Sequence, residues 1–392
     1  MVNGQLPMSI FIFQAYNRKM NQLQKATGEG TANYKSRFKG SLADSHFRES
    51  QGMWLSSIGL GTYLGNADEQ TDRAYRAAIT RAVELGCNIF DTAANYRFQR
   101  SERNVGDALA GLISKGVLAR NEVIVTTKGG YIPFDNHPPR NRQEMTDYLE
   151  ETFIKPGICD PSDFVQGSHC MRPKYLAHQL DQSLSNLRLD CVDVYYIHNP
   201  ESQFAQSSRE EFYRRLRDAF EFLESAVEAG KISMYGTATW SGYRVDPNKA
   251  EYISLEQVAK TAREVGGQRN HFKVVQLPVN LSMIEAFTAR NQTLDGRKSS
   301  FLDAAAELGI TVMASSSIQH GQLVRDLAPI VGESMTGLRT DAQRALQFTR
   351  STPDVVTALV GMSNISHVEE NLELAKVSPA ALEDYLNLFD IS

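Results

Sequence analysis

Eight short apolar runs rich in β-forming residues recur along the chain after residue 50, and helix-like segments separate them. The runs are WLSSIGLGT, CNIFDT, EVIVTTK, VDVYYIH, KISMYGTAT, FKVVQLPV, ITVMASSS and VVTALVG. Segments between them, such as DRAYRAAITRAVELG, repeat apolar side chains at intervals of three and four, as amphipathic helices do. Parallel strands need such crossover helices, and eight strands can close into a barrel without edges. The alternation therefore predicts an α/β fold, a (β/α)8 TIM barrel, and disfavours the main rival, an open doubly wound sheet.

Two segments depart from this alternation. Residues 1–50 are polar and weakly periodic, so we expect an N-terminal extension, loosely attached, ahead of a barrel over residues 51–392. The segment 131–172, between the third and fourth strands, is far longer than an ordinary connection. We expect a loop with one short helix at 142–153. It would leave the C-terminal end of strand three, where barrel active sites lie, and form a lid or substrate wall.

Charge and cysteine usage narrow the class of partner. The formal net charge of -5 argues against nucleic-acid and anionic-membrane surfaces, which need clustered Lys and Arg. The spacing of the four cysteines does not suggest a disulfide framework, which suits a reducing compartment. The apolar run SIFIF at 9–13 is too short for a signal peptide, and no window approaches the roughly 18 apolar residues that span a bilayer. We expect a cytoplasmic protein acting on small molecules, of unknown oligomeric state.

Four polar side chains follow three consecutive predicted strands. Asp91 and Tyr96 follow the second strand, Lys128 ends the third, and His198 ends the fourth. Each alone has an ordinary structural explanation. An Asp after a strand is usually a cap, a Tyr is usually a half-buried aromatic side chain, and a His at a strand end is usually a core residue with its hydrogen bonds satisfied. A barrel, however, brings consecutive strand ends to one mouth. The four together predict a reactive site.

The chemistry of these side chains is complementary. A phenol, with a pKa of about 10, is a poor acid at neutral pH unless a cation stabilises its phenolate. Lys128 would supply that cation. Asp91 would hold the ammonium and keep it charged in a partly desolvated mouth. His198 could donate a hydrogen bond to a substrate carbonyl oxygen and orient it.

Seven stretches, in this order, resemble the aldo-keto reductase superfamily. They are IGLGT at 58–62, FDTAANY at 90–96, SERNVGDAL at 101–109, VTTK at 125–128, LDCVDVYYIH at 189–198, VVQLPVN at 274–280 and VEENL at 368–372. The resemblance runs from about residue 53 to 378. It implies a barrel enzyme in which an extended nicotinamide cofactor reduces an aldehyde or ketone. By resemblance Tyr96 is the general acid, Asp91 and Lys128 tune it, His198 orients the substrate, and no metal takes part.

The resemblance also implies a set of cofactor contacts. At the nicotinamide end they are Gly61, Thr62, Tyr63, Asp91, Thr239, Gln276, Ser315, Ser316 and Ile318, and at the adenosine end they are Gly361, Ser363, His367, Glu370 and Asn371. Gln276 matches the residue that bonds the nicotinamide carboxamide. Ala238 and Thr239 replace a usual Ser-Asn pair, and Ser315 replaces a stacking Tyr. His367 stands where many relatives have Arg or Gln, which weakens the expected grip on a 2'-phosphate. The expected cofactor is NADP, with NAD as the rival.

Other assignments remain open or are disfavoured. Tyr63, Tyr131 and Trp240 follow strands and are either aromatic walls of a substrate pocket or ordinary packing. A non-catalytic cofactor-binding regulatory subunit would keep the barrel and could keep the four polar residues. A lyase or isomerase would use Lys128 as a Schiff base, which the neighbouring Tyr and Asp argue against. A zinc site is not expected, because the spacing of its candidate ligands matches no compact pattern; these are Cys159, Asp160, Asp163, His169 and Cys170.

Overall fold

The structure, a computed structural model, describes residues 25–389, and eight of its strands form a closed parallel barrel. In chain order the strands are β1 (Phe47–Ser50), β2 (Met53–Ser56), β3 (Ile58–Gly61), β4 (Ile89–Asp91), β5 (Ile124–Gly129), β6 (Val192–His198), β7 (Ile232–Ala238), β8 (Phe272–Pro278), β9 (Gln292–Leu294), β10 (Arg297–Ser299), β11 (Thr311–Ser315) and β12 (Val355–Gly361). The barrel closes in the order β3-β4-β5-β6-β7-β8-β11-β12. This confirms the predicted (β/α)8 architecture, with one barrel strand in each predicted run.

Helices cover the outside of the barrel. They are α1 (Gly28–Ser36), α2 (Glu69–Glu84), α3 (Arg100–Ser114), α4 (Arg142–Leu149), α5 (Pro173–Leu187), α6 (Arg209–Glu228), α7 (Leu255–Gly266), α8 (Glu285–Thr288), α9 (Phe301–Glu307), α10 (Pro329–Ser334), α11 (Asp341–Ser351), α12 (Ile365–Leu372) and α13 (Leu382–Leu386). Polar N-caps start several of them: Asp68 accepts from the backbone N–H of Thr71, and Ser208 from that of Glu211. Within residues 25–389, no helix is both long and apolar enough to cross a membrane.

The parallel register brings the predicted polar residues to one rim. Asp91 at the end of β4 pairs with Gly61 of β3 and with Thr126 of β5. Ala238 at the end of β7 pairs with His198 of β6 and with Gln276 of β8. Because all eight strands run the same way, these ends lie at the C-terminal mouth of the barrel.

The first described residues close the opposite end of the barrel. The backbone N–H of Ala26 donates to Oδ1 of Asp193 at 2.7 Å, and the Tyr34 hydroxyl donates to the carbonyl of Val83 at 2.6 Å. Met53 and Leu55 join the apolar cluster formed by the inward-facing strand residues. The expectation of a loose arm is therefore wrong for residues 25–50. Residues 1–24 lie outside the described part, and the domain boundary at residue 50 stays a prediction.

The long segment 131–172 has a small core of its own. Its helix α4 begins at Arg142, as predicted, and continues into one π-helical turn, Glu150–Ile154. Apolar side chains pack beneath it; they are Ile132, Phe153, Cys159, Phe164 and Cys170, together with Tyr175 of α5. The segment is thus a packed structure beside the mouth.

Candidate active site

A buried ion pair lies at the centre of the rim. Nζ of Lys128 lies 2.7 Å from Oδ2 of Asp91, and both side chains are almost fully buried. The ammonium also donates to the carbonyl of Thr92 at 2.8 Å. Oδ1 of Asp91 accepts from Oγ1 of Thr126 at 2.7 Å and from Nε2 of Gln276 at 2.8 Å. Burial lowers the pKa of Lys128, and Asp91 opposes that shift by stabilising the charged form.

Tyr96 lies above this pair with its ring toward the cation. Nζ of Lys128 is 4.8 Å from the centroid of the Tyr96 ring. Burial, and after it the negative charge of Asp91, raise the pKa of Tyr96 well above 10. The ammonium faces the ring and gives its hydrogen bonds to Asp91 and Thr92, and the role of Lys128 in activating Tyr96 stays a prediction. The phenol keeps its proton, as a general acid must before it reacts.

His198 completes the group of four. Its ring packs edge-to-face on that of Tyr96, with 5.8 Å between centroids. Burial lowers the pKa of His198 well below 6.5, and the charge of Lys128 adds to the shift. The imidazole is therefore neutral and carries a single N–H. Its buried Nδ1 has no hydrogen-bond partner within residues 25–389.

A cavity of about 380 Å³ opens over these residues. Asp91, Tyr96 and His198 line it, with Lys128 beneath. Most of the expected cofactor positions line it too; they are Gly61, Thr62, Tyr63, Thr239, Gln276, Ser315, Ser316, Ile318 and Gly361. The three expected aromatic walls also line it; they are Tyr63, Tyr131 and Trp240. The fold thus brings together residues from strand ends spread over 300 positions of sequence.

Apart from Gly361, the expected adenosine contacts lie outside this cavity. Ser363 lines a separate shallow pocket beside the start of α2. His367 on α12 is exposed. Glu370 is already engaged, because its carboxylate accepts from Oγ1 of Thr340 at 2.6 Å. Asn371 is buried.

The residues at the mouth fit a polar, extended ligand such as a nicotinamide dinucleotide. Oγ1 of Thr239 and Oγ of Ser316 are buried and lack a hydrogen-bond partner within the described residues. Oδ1 of Asn371, on α12 and outside this cavity, is also buried without a hydrogen-bond partner in that part of the chain. Buried polar atoms are normally paired, so these three are suited to a bound polar group. Gln276 donates to Asp91, so its expected contact with a carboxamide stays a prediction.

The cavity also contains residues that the sequence analysis missed. Asn95 and Asn199 line it, and they are direct neighbours in sequence of Tyr96 and His198, which was the available signal. His320 lines it as well and lies against Trp240, with 6.2 Å between ring centroids. His320 comes from an irregular turn with a φ of 55°, and no sequence pattern marks it.

The zinc ligands considered in the sequence lie in two different surroundings. Cys159 and Cys170 pack in the apolar core of the long segment, and His169 bonds the main chain at the mouth. Among residues 25–389, no group of three or more His, Cys, Asp or Glu side chains is arranged to hold a metal ion.

Comparison with known proteins agrees with this geometry. The model of the Aldo/keto reductase family matches residues 57–385. The chain belongs to this family. It is 22% identical over 370 residues to L-glyceraldehyde 3-phosphate reductase of Escherichia coli, covering 87% of this chain and 93% of that protein. It is 24% identical over 362 residues to a putative voltage-gated potassium channel subunit beta of Schizosaccharomyces pombe, covering 86% and 90%.

A shorter match and two solved structures extend the comparison. Aldo-keto reductase yakc [NADP(+)] of S. pombe is 27% identical over 202 residues, which cover 51% of this chain and 46% of that one. The aldo-keto reductase AKR11C1 of Bacillus halodurans superimposes with a TM-score of 0.60 at 19% identity, covering 89% and 96%. An aldo/keto reductase of Klebsiella pneumoniae in complex with NADP and acetate gives 0.57 at 19% identity, covering 88% and 94%. These structures share the barrel fold of this aldo-keto reductase.

Proposed function

We propose that this aldo-keto reductase reduces an aldehyde or ketone to an alcohol, with NADPH as hydride donor and Tyr96 as general acid. The observation that carries the proposal is the position of the Tyr96 phenol, above the buried Asp91–Lys128 pair and against the ring of His198. The unpartnered hydroxyls of Thr239 and Ser316 support a polar ligand in the same cavity.

Each residue has a separate role in this reaction. A bound reduced nicotinamide supplies the hydride. The single N–H of His198 orients the substrate oxygen, and the hydroxyl of Tyr96 gives that oxygen its proton. Negative charge then develops on the Tyr96 oxygen, where the fixed ammonium of Lys128 stabilises it. Asp91 keeps that ammonium charged, and Tyr63, Tyr131 and Trp240 form the walls for a small-molecule substrate.

NADP is the proposed cofactor, and NAD is its rival. The printed names of one S. pombe relative and of the K. pneumoniae structure include NADP. The adenosine contacts assigned to Ser363, His367, Glu370 and Asn371 are part of this proposal. A fluorescence titration of the purified protein with NADPH and with NADH tests it without any substrate. Tighter binding of NADH would overturn the NADP assignment.

The role of Tyr96 is tested by turnover. We expect oxidation of NADPH in the presence of an aldehyde such as 4-nitrobenzaldehyde, and a fall in kcat of about 100- to 10,000-fold in Tyr96→Phe. The dissociation constant for NADPH serves as the control and should stay unchanged, because phenylalanine fills the same space. Equal turnover by wild type and variant would overturn the proposal.

The titration and turnover measurements, with one chemical trapping experiment, separate the alternatives. Cofactor binding without turnover on a panel of aldehydes and ketones would favour a non-catalytic regulatory subunit. Borohydride trapping of a substrate adduct on Lys128 would favour a Schiff-base lyase or isomerase. The buried, unpaired state of all four cysteines accords with the proposed cytoplasmic location.

A further inference from the structure

The long segment 131–172 reaches the catalytic group through one buried histidine. Nε2 of His169 lies 2.6 Å from the carbonyl oxygen of His198. Its ring packs edge-to-face on Tyr131, with 5.0 Å between centroids, and Tyr131 packs in the same way on the ring of His198 at 5.1 Å. One side chain from the segment therefore contacts both the main chain of His198 and an aromatic wall of the cavity.

The residues behind His169 fix the direction of its hydrogen bonds. The guanidinium of Arg215 can only donate, and its Nη1 lies 2.7 Å from Oε1 of Gln203. The amide nitrogen of Gln203 therefore faces Nδ1 of His169, at 2.8 Å. Burial lowers the pKa of His169 to about 4, so the ring is neutral. Since Nδ1 accepts, the one ring proton is on Nε2 and is donated to the carbonyl of His198.

The peptide unit that follows His198 is held from two sides. Its carbonyl accepts from His169, and its N–H, that of Asn199, donates to the carbonyl of Ala238 at 2.6 Å. Gly130 leaves the room for this arrangement. A Cβ at that position would lie 2.8 Å from Nε2 of His169 and 3.0 Å from the oxygen of His198, too close for either.

We propose that His169 is a positioning residue, which sets the orientation of His198 and Tyr131 toward the substrate oxygen. The inference rests on the proposed function, in which His198 donates to a carbonyl. His169 does not line the cavity and acts only through its neighbours. Rotation of the 198–199 peptide would move the attached imidazole, and a misplacement of about 1 Å can lower a rate about 100-fold.

Two substitutions of His169 separate hydrogen bonding from space filling. His169→Phe keeps the ring volume and removes the donor, whereas His169→Gln retains an N–H donor near the position of Nε2. We expect His169→Phe to lower kcat about 10- to 100-fold, with the dissociation constant for NADPH unchanged, and His169→Gln to restore most of that loss. The measurements are kcat and KM for 4-nitrobenzaldehyde, with urea unfolding to confirm that each variant is folded.

A third substitution, at Gln203, should move the ring proton of His169 from Nε2 to Nδ1 while His169 itself is kept. In Gln203→Glu a carboxylate would face Nδ1, draw the ring proton to that nitrogen and raise the pKa of His169. The other ionisable groups around the ring are Tyr131, His198 and, behind residue 203, Arg215. Above the raised pKa, Nε2 has no proton to donate to His198, so kcat should fall as pH rises between about 6 and 8. Wild type should lack this fall.

The outcomes distinguish the two proposals. Turnover that survives in Tyr96→Phe overturns the proposed function, whatever His169 does. If Tyr96→Phe is inactive while folded His169→Phe keeps the wild-type kcat and KM, the positioning role is wrong. If His169→Phe does not fold, Gln203→Glu decides: a new pH-dependent fall in kcat supports the role, and a wild-type pH profile overturns it.

Discussion

The two carboxylate oxygens of Asp91 have different partners at the mouth of the barrel. One oxygen pairs with the ammonium of Lys128, and the other accepts from Thr126 and Gln276. The carboxylate therefore joins β4 to its neighbour β5 and, across the barrel, to β8, and it also determines the charge beneath Tyr96. A change at this position should affect both stability and catalysis.

We expect Asp91→Asn to destabilise the fold by about 3–5 kcal/mol and to abolish most turnover, because it leaves the buried ammonium of Lys128 without its counter-charge. The destabilisation should shrink as pH rises, since Lys128 can then lose its proton. Urea unfolding at pH 7 and pH 9, with kcat at pH 7, measures both effects. A variant of wild-type stability at pH 7 would contradict the assigned ion pair.

The strands and helices differ in how plainly the sequence predicts them. The eight barrel strands are predictable because strands buried on both faces read as continuous apolar runs. The antiparallel hairpin of β1 and β2 is not predictable, because only Ser57 separates β2 from β3 and WLSSIGLGT reads as one strand. Helix α1 was missed because it buries Gly30, Thr31 and Tyr34 and so lacks an apolar stripe.

The candidate site was predictable in part, for related reasons. Asp91, Lys128 and His198 end strands, so the register determines where they lie. The orientation of Lys128 toward the ring of Tyr96 depends on tertiary packing that no spacing reveals. His169 lies 29 residues before His198 in an irregular segment, so nothing local relates the two.

At the opposite end of the barrel, Asp193 on β6 is a buried carboxylate like Asp91, but it does not border the cavity. Its carboxylate accepts from the backbone N–H groups of Ala26 and Val125, both at 2.7 Å, and from the guanidinium of Arg120 at 2.8 Å. We expect Asp193→Asn to cost about 3 kcal/mol of stability, because Arg120 loses its buried partner.

Turnover by folded Asp193→Asn should equal that of wild type, because Asp193 lies far below the mouth. The pair Asp91→Asn and Asp193→Asn thus compares two buried carboxylates of similar environment, only one of which borders the cavity. A large loss of kcat in folded Asp193→Asn would show that the two ends of the barrel are coupled.

The whole molecule should lose stability on mild acidification. Burial lowers the pKa of His46 to about 3 and that of His169 to about 4, against about 6.5 in an unfolded chain. Between these values the unfolded state binds more protons at these two positions, so the contribution of the two histidines to stability is complete above pH 6.5 and falls as pH decreases. We expect the urea midpoint to fall from pH 7 to pH 5, a range in which most carboxylates stay ionised.

His46→Gln provides the control for this prediction. In the wild type, the two ring nitrogens contact Oγ of Ser57 at 3.1 Å and the carbonyl of Gly86 at 3.0 Å. Glutamine cannot take up a proton, so the decrease in midpoint between pH 7 and pH 5 should be smaller in the variant. An identical decrease would place the responsible groups elsewhere.

The segment that closes the opposite end of the barrel bonds to residues that are synthesised much later than the segment itself. Ala26 bonds to Asp193, which is 167 residues later, and Arg48 donates to the carbonyl of Arg350, which is 302 residues later. At about 5–20 residues per second, the ribosome delivers the first partner roughly 8 to 30 seconds after Ala26. Met53 and Leu55 pack in a cluster that extends to Met313 and Leu359, so part of the surface that buries these two apolar side chains is made only when translation is nearly complete.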